Sequence, residues 1–309
     1  MNNIQNILKT IIRIGIGLFF IVSAVLKLLS LDQFELYIYS FNILNFTWSA
    51  LAARVIIACE ILVGILLIIK VKYKPAWWLT MLMLVGFSLL LVYVILFRND
   101  TNCHCMGDLV EIKPSLSLVK NLIAIALLLL VRKEDDYQFG PLGRKLALIG
   151  AFVAAIVPPF VLFPMDNVYN LFSKSDNLDY NETAFNALMA DSTMQDVNLE
   201  DGNYVIGVIS AGCKFCRISC LKMSEMVDNN HLDTNRILYF VWGGDSTAVR
   251  EFQTETKTEA FRYVPINAIS AVHIVNGHFP TYLFIKDGDV ESTADLRHLT
   301  EKNLCNYLH

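Results

Sequence analysis

The sequence predicts an α-helical transmembrane bundle of four helices plus a fifth linking helix, followed by a soluble α/β domain. Hydrophobic residues make up 55% of the 309 residues and charged residues only 17%. Soluble domains contain roughly 45–50% apolar and about 25% charged residues. The apolar residues are concentrated in the first half. The second half alternates short apolar runs with amphipathic stretches, as in an α/β fold.

Charge divides the chain in the same place. Residues 1–163 contain 14 Lys and Arg against 9 Asp and Glu, whereas residues 164–309 contain 11 against 20. This balance excludes a disordered chain, a wholly soluble enzyme and a basic nucleic-acid-binding protein. We expect a bundle, a fifth helix, a linker and a soluble domain at residues 1–135, 136–165, 166–200 and 201–309.

Five apolar stretches approach the length of about 20 residues that a bilayer-spanning helix requires. They are residues 7–29, 48–69, 76–97, 115–131 and 146–163. The first stretch is too long for a signal peptide and lacks a small-residue cleavage site, so we favour a retained helix. Pro158 and Pro159 should kink or end the last helix, because proline removes a backbone donor.

The distribution of Lys and Arg predicts the orientation, because cytoplasmic loops are enriched in these residues. Basic residues cluster near the N-terminus and in the second and fourth loops, whereas residues 30–47 contain none. We therefore expect a multi-pass protein of the bacterial cytoplasmic (inner) membrane, embedded in lipid, with a cytoplasmic N-terminus. The loop at 98–114 and the C-terminal domain would then share the extracytoplasmic, periplasmic side.

A CxxC motif is formed by Cys213 and Cys216, between an apolar strand at 204–210 and a helix-period stretch that runs through Met226. This context is typical of a redox motif. At a helix N-terminus, backbone N–H groups favour a Cys213 thiolate, and Cys216 one turn later would resolve a mixed disulfide. A structural disulfide or half of a zinc site is the alternative, but no second CxxC or paired His accompanies the motif.

The segments after the CxxC continue the α/β pattern. We predict a strand at 236–242, helices at 246–259, 267–274 and 295–307, and a strand that ends in a turn at 279–288. The turn contains Asp287-Gly288, a hairpin signal.

Phe279-Pro280-Thr281, then an apolar strand and Lys-Asp-Gly, resembles the cis-proline hairpin of thioredoxins. The resemblance covers residues 195–309. It implies that the peptide bond before Pro280 is cis, that it lies against the CxxC and that Pro280 presents peptide substrates. The sequence departs from thioredoxins in two respects. Gly212 replaces the Trp that precedes the first Cys of the motif. The Lys-Phe dipeptide between the two cysteines matches no subtype from which a redox potential could be assigned.

A second cysteine pair, Cys103 and Cys105, flanks His104 in the predicted outer loop. A disulfide across CxC closes a small, strained ring, which favours an oxidising potential, and His104 would lower the thiolate pKa. A metal site would need more ligands than this loop offers, so we predict none. The remaining alternative to a redox pair is a pair of cysteines without a functional role.

The N-terminal part carries a second set of matching segments. They are residues 13–23 with Lys27, Glu60 with Gly64, Cys103-His-Cys-Met-Gly, and Lys120-Asn121. They resemble MauE/DoxX-type redox-associated membrane proteins over residues 8–132, with Met106 replacing the usual Phe of a C-x-C-F-G loop. The resemblance implies a four-helix bundle engaged in disulfide chemistry. The combined architecture resembles that of vitamin K epoxide reductase homologues, a bundle joined to thioredoxin through a fifth helix.

Charged residues interrupt the predicted spans at Lys27, Arg54, Glu60 and Lys120. Such residues mark functional or paired sites, although Lys27 and Arg54 lie near helix ends and could snorkel. A Lys27–Glu60 pair requires the two helices to be offset. We predict a pocket for a quinone headgroup beneath the loop that contains the CxC motif, lined by Lys27, Glu60 and Lys120.

Three cysteines lie outside the two motifs: Cys59, Cys220 and Cys305. We expect all three to be packing residues. For Cys220, four residues after Cys216 on the same helix face, a third exchanging thiol is the alternative.

These features together predict a membrane thiol–disulfide oxidoreductase without a covalently bound cofactor. Electrons from extracytoplasmic protein thiols would pass through Cys213–Cys216 and Cys103–Cys105 to a quinone. One alternative is an outward relay of reducing equivalents, for which the single intramembrane Cys59 is poorly suited. The other is a non-catalytic, membrane-tethered client-binding or assembly factor, which would not require intact CxxC and cis-proline motifs.

Overall fold

The computed structural model describes residues 2–98, 103, 112–132, 134, 136–138, 140–166, 168–169 and 178–308. The chain divides into two compact units. The first unit contains Met1–Ile38 and Thr47–Met165, and the second contains Tyr39–Phe46 and Asp166–His309. The segment Tyr39–Phe46, which the sequence predicted to be part of the bundle, belongs to the second unit.

The first unit is helical. Its helices are α1 (Asn2–Leu29), α2 (Leu31–Tyr39), α3 (Phe46–Ile69), α4 (Tyr73–Phe97), α5 (Pro114–Leu130) and α6 (Pro141–Val157), and α6 continues as a π-helical turn over Pro158–Leu162. The sequence analysis missed α2, which lies in the loop predicted at 30–47. The two prolines end the α-helical hydrogen-bonding pattern, as predicted.

Four helices of the described part of the chain are long and apolar enough to cross a membrane. They are Ile4–Leu29, Phe46–Ile69, Tyr73–Phe97 and Pro141–Leu162. The remaining predicted span corresponds to α5, an apolar helix of 17 residues. At 1.5 Å per residue α5 is about 25 Å long, near the lower limit for a spanning helix. The predicted helical membrane bundle is confirmed.

Helices α1 and α3 run antiparallel and touch at Gly17 and Gly64. A Cβ atom on Gly17 would lie 2.8 Å from the Gly64 carbonyl oxygen, and one on Gly64 would lie 2.7 Å from that of Gly17. Side chains in α-helices lean toward the N-terminus of their own helix. Lys27 on α1 and Glu60 on α3 therefore lean toward each other, which removes the apparent offset between them.

The second unit is built on a five-stranded sheet. Its strands are β1 (Asn203–Ser210), β2 (Ile237–Trp242), β3 (Arg262–Pro265), β4 (Thr281–Lys286) and β5 (Asp289–Ala294), in the order β3-β2-β1-β4-β5. Strands β1, β2 and β3 are parallel, whereas β4 and β5 are antiparallel to their neighbours. This mixed sheet has the topology of the thioredoxin-like fold that the sequence predicts.

Helices cover both faces of this sheet. They are α7 (Glu182–Met189), α8 (Lys214–Asn230), α9 (Ser246–Thr256), α10 (Ala268–Ile274) and α11 (Glu301–Leu308). Apolar side chains of α8, α9 and α11 form the core on one face, and those of α7 and α10 form the core on the other. The cysteine motif lies at the start of α8, on the first face.

Two local predictions for the second unit were wrong. Strand β3 was not predicted, because this four-residue edge strand ends in Pro265 and has no full apolar alternation. The last helix begins at Glu301, not at residue 295. The Asp295 carboxylate accepts the backbone N–H groups of Arg297 and His298 at 2.9 and 2.7 Å, which closes a turn there.

Candidate redox site

Cys213 is the N-cap residue of α8. Its sulfur accepts a hydrogen bond from the backbone N–H of Cys216, with an N···S distance of 3.4 Å. The first turn of the helix, with its positive partial charge, therefore begins directly at the Cys213 sulfur. The sulfur is half-buried and therefore accessible to a partner.

Cys216 lies one turn into α8 and is fully buried. The backbone N–H of Ser210 points at its sulfur, 3.5 Å away. Burial raises the pKa of the Cys216 thiol, and the Ser210 N–H only partly opposes this. One cysteine is thus accessible and the other is buried and neutral, which is the arrangement of a nucleophile and a resolving thiol.

The peptide bond between Phe279 and Pro280 is cis, as the resemblance to thioredoxins implied. Phe279 and Cys213 pack against the same core cluster. The Phe279 ring also lies 5.6 Å from the Trp242 ring, centroid to centroid. Phe215, inside the motif, is 58% exposed. The accessible thiol thus shares its cluster with the aromatic residue before the cis-proline, and an exposed aromatic side chain lies within its motif.

Cys220 lies behind Cys216 in a cluster of tyrosine rings, and both thiols are fully buried. Burial raises the pKa of Cys220 to about 12, and the hydroxyls of Tyr239, Tyr282 and Tyr263 lower it only in part. This thiol is therefore neutral at physiological pH, which argues against its predicted alternative role as a third exchanging thiol.

Gly207 of β1 makes room for this cluster. It pairs with Tyr239 on β2 and with Tyr282 on β4. A Cβ atom at position 207 would lie 2.7 Å from the Tyr239 ring and 3.0 Å from the Tyr282 ring. The Tyr282 hydroxyl is also 2.7 Å from Ser219 Oγ on α8. A position without a side chain thus lets two phenol groups reach the underside of the cysteine helix.

Cys103, of the second cysteine pair, is buried in the first unit, with an exposed fraction of 3%. Its sulfur lies 3.0 Å from the Oγ atom of Ser117. Its backbone N–H donates to the Ile112 carbonyl at 3.1 Å. The other members of the motif, His104 and Cys105, lie outside the described residues.

The predicted charged residues of the bundle form a buried group. Lys27 and Glu60 are 3% and 2% exposed and form an ion pair, and Lys27 Nζ also lies 3.1 Å from Ser23 Oγ. The ammonium group is 5.4 and 5.3 Å from the ring centroids of Phe34 and Phe87. Snorkelling therefore does not describe Lys27 in this structure.

The second oxygen of the Glu60 carboxylate, Oε2, is buried and accepts no hydrogen bond from any described residue. Lys120 acts on Glu60 electrostatically, and its ammonium group lies 5.0 Å from the Phe19 ring centroid. Lys27, Glu60 and Lys120 are thus brought into one region of the bundle, with one more positive than negative charge.

Arg54 forms a separate buried group. It pairs with Glu35 of α2, and its Nε donates to the Phe163 carbonyl at 2.9 Å. Arg54 therefore links α2, α3 and the end of the last span, and its surroundings indicate a structural role. Among the described residues, no cluster of three or more His, Cys, Asp or Glu could hold a metal ion.

Several polar residues of these sites were not singled out in the sequence. They are Ser23, Glu35, Ser117, Ser219, Tyr239, Tyr263 and Tyr282. A signal existed for Ser117, because it precedes Lys120 by three residues and so shares its helix face. The tyrosines carried no such signal, since aromatic residues in strands are usually explained by packing.

Comparisons with known proteins match parts of the chain. Residues 5–132 match the family of methylamine utilisation protein MauE. Protein TlpB of Flavobacterium psychrophilum is 31% identical over 183 residues, which cover 53% of this chain and 47% of that protein. The chain therefore spans about half the length of this curated relative.

One solved structure also aligns with the chain. It is a secreted Mycobacterium tuberculosis disulfide oxidoreductase homologous to E. coli DsbE, with 13% identity and a TM-score of 0.29, over 36% of this chain and 82% of that protein. The assignment of the second unit depends on its own features, namely its strand order, its CxxC cap and its cis-proline.

Proposed function

From a MauE-family bundle joined to a thioredoxin-like domain in one chain, we propose a membrane thiol–disulfide oxidoreductase that promotes disulfide formation. It relays electron pairs from client protein thiols through Cys213–Cys216 and Cys103–Cys105 to a quinone. The observation that carries this proposal is the placement of Cys213 as the cap of α8, with Cys216 buried one turn behind it.

The reaction begins with the Cys213–Cys216 pair as a disulfide. A client thiolate attacks the Cys213 sulfur, which forms a mixed disulfide and releases Cys216 as a thiolate that takes up a proton. A second client thiolate then attacks the client sulfur of the mixed disulfide, and Cys213 leaves with the electron pair. The client gains one disulfide, and the pair becomes a dithiol.

The dithiol is reoxidised by a second exchange. Cys213 attacks the Cys103–Cys105 disulfide, and Cys216 resolves the resulting mixed disulfide. The two electrons and two protons then reside on Cys103 and Cys105. The two pairs can meet if both lie on the extracytoplasmic side of the inner membrane, as the Lys and Arg distribution predicts.

The charged group of the bundle supports a quinone as the final acceptor. A quinone would supply the capacity to take up two electrons and two protons. Lys27 would donate a hydrogen bond to a carbonyl oxygen, and Glu60 Oε2, which accepts none from the described part of the chain, would accept one from a hydroxyl. Phe34 and Phe87, on which the Lys27 ammonium group lies, provide flat apolar surfaces for a ring.

Trapping of mixed disulfides tests the oxidoreductase activity. A Cys216→Ser variant should accumulate disulfide-linked adducts of Cys213 with client proteins in membranes, because the resolving thiol is lost. The matched control is the Cys213→Ser/Cys216→Ser double variant, which should form none. Absence of adducts from the single variant would contradict the activity and favour an assembly factor.

The redox state of Cys213–Cys216 in membranes tests the relay and its direction. In Cys103→Ser and Cys105→Ser variants this pair should become more reduced, because its oxidant is lost. The control is Cys305→Ser. A more oxidised pair would instead show outward delivery of reducing equivalents, and an unchanged pair would exclude the relay.

The quinone step has its own assay. Purified full-length chain, supplied with a reduced dithiol peptide and a soluble quinone analogue, should reduce the analogue, as followed by its absorbance. The Glu60→Gln and Lys27→Met variants should lose this reaction but still oxidise the peptide stoichiometrically once. Full quinone reduction by both variants would exclude this pocket.

A further inference from the structure

Cys103 is held from two directions in the first unit. Its backbone N–H is fixed to the Ile112 carbonyl at 3.1 Å, and its sulfur is 3.0 Å from Ser117 Oγ. The residue is 3% exposed. The Cys103 sulfur is therefore buried and held against a hydroxyl group.

Ser117 lies at the start of α5, which begins with Pro114 at its first position. Its side chain is fully buried, and a hydroxyl buried in an apolar bundle requires a partner. The Cys103 sulfur is such a partner. The first turn of a helix also carries positive partial charge from its free N–H groups, so this end of α5 favours an anion.

Lys120 strengthens the same electrostatic bias. It follows Ser117 by three residues and lies on the same face of α5. Its ammonium group also acts on Glu60. The serine hydroxyl and the helix terminus therefore stabilise negative charge on the sulfur that contacts Ser117, and Lys120 adds a positive charge on the same face of α5.

We propose that Ser117 is a positioning residue that stabilises the Cys103 thiolate and so makes the Cys103–Cys105 pair more oxidising. The inference rests on the redox role proposed above. When an incoming thiolate attacks the other sulfur of the pair, the S–S bond breaks and the electron pair stays on Cys103. The Ser117 hydroxyl then donates a hydrogen bond to this thiolate, which favours the reduced state and raises the reduction potential.

The pH dependence of Cys103 alkylation tests this assignment. The full-length chain is reduced in detergent and treated with iodoacetamide at a series of pH values, and Cys103 is quantified by peptide mass spectrometry. Ser117→Ala should move the alkylation midpoint upward by about one pH unit, since a hydrogen bond to a charged group has roughly that effect. At pH 9, the equilibrium of the pair with glutathione should shift about tenfold toward the disulfide.

Two matched variants separate hydrogen bonding from packing. Ser117→Thr retains the hydroxyl and should restore the wild-type midpoint. Ser115→Ala alters an exposed serine of the same helix turn and should leave the midpoint unchanged. An unshifted midpoint in Ser117→Ala, or an equal shift in Ser117→Thr, would overturn the proposal.

The alkylation assay does not depend on the relay. If Cys103→Ser leaves the redox state of Cys213–Cys216 unchanged but Ser117→Ala shifts the midpoint, the relay fails and the role of Ser117 stands. If the relay operates and the midpoint does not shift, the relay stands and the proposed role of Ser117 fails.

Discussion

The two units surround their buried cysteines with different chemistry. In the bundle, the buried Cys103 sulfur contacts the Ser117 hydroxyl, and the same unit contains a charged pair, Lys27 and Glu60, buried at 3% and 2% exposure. In the thioredoxin-like unit, the space behind Cys216 contains neutral tyrosine hydroxyls and the Cys220 thiol. Charges create a field that stabilises an anion, but each must be compensated. Neutral hydroxyls require only hydrogen-bond partners, and they leave the resolving thiol protonated.

The largest expected effect comes from breaking the charge pair in the bundle. Lys27→Met leaves the Glu60 carboxylate buried without its countercharge, and the free energy of unfolding should fall by about 3–5 kcal/mol. Denaturant unfolding of the purified chain in detergent measures this. The exposed Lys74→Met is the control, and the Lys27→Met/Glu60→Gln double variant should lose less than Lys27→Met alone. A single variant as stable as Lys74→Met would show that the pair is not needed for stability.

A smaller loss is expected when the neutral cluster is overpacked. Gly207→Ala places a methyl group 2.7 Å from the Tyr239 ring, and overpacking of this kind costs about 1–3 kcal/mol. Thermal unfolding followed by tyrosine fluorescence measures the change. Gly212→Ala, where an added Cβ meets nothing within 4 Å, should be tolerated. Equal melting temperatures for the two variants would contradict the proposed tight fit of the rings.

The neutral cluster should also make stability depend on pH. Burial raises the pKa of Cys220 from 9.0 to about 12. Between these values the unfolded chain loses the proton that the folded chain keeps. The stabilisation is therefore complete below pH 9 and falls by about 1.4 kcal/mol for each pH unit above it.

Denaturant unfolding at pH 8 and pH 10 tests this dependence. Between the two pH values, the free energy of unfolding of Cys220→Ala should fall by about 1.4 kcal/mol less than that of the wild-type chain, because the buried thiol is absent. Cys305→Ala, which removes a half-buried thiol, should have a smaller effect on the difference between the free energies of unfolding at pH 8 and pH 10. Identical pH dependence in the wild type and Cys220→Ala would show that the tyrosine cluster does not hold a protonated thiol.

The smallest effect is expected for a charge pair at the surface of the thioredoxin-like unit. Arg217 and Glu255 are 2.6 Å apart, with side chains 47% and 54% exposed. Glu255→Gln should change the free energy of unfolding by less than about 0.5 kcal/mol. Glu225→Gln, whose carboxylate is 9% exposed and pairs with Lys257, should cost more. A loss for Glu255→Gln as large as that for Lys27→Met would remove burial as the explanation of the difference between the units.

Local patterns predicted most of the thioredoxin-like unit. The strand before Cys213 and the turn at Asp287-Gly288 are encoded in contiguous residues, and both are present in β1 and the β4–β5 hairpin. Strand β3 was missed because it is short and ends in Pro265. The predicted start of the last helix was too early. Asp295 caps a turn instead, through side-chain hydrogen bonds that the sequence pattern does not reveal.

The bundle was predicted less completely. Hydrophobic length alone identified its apolar helices, but hydrophobic residues carry little information about which faces meet. The pairing of Lys27 with Glu60 depends on the close approach of α1 and α3 at Gly17 and Gly64. The contact between Cys103 and Ser117 joins residues 14 positions apart, and the periodicity of the sequence does not predict such a contact.

The sequence by itself determined the fold class, the two cysteine motifs and the division of charge, because helix length, strand alternation and motif spacing are properties of neighbouring residues. Only the tertiary structure decided which sulfur is buried, which hydroxyl groups the Cys103 and Cys220 thiols contact, and which charges are compensated. It also assigned Tyr39–Phe46 to the second unit. These features depend on contacts between residues far apart in the chain, and only the packing of whole elements brings such residues together.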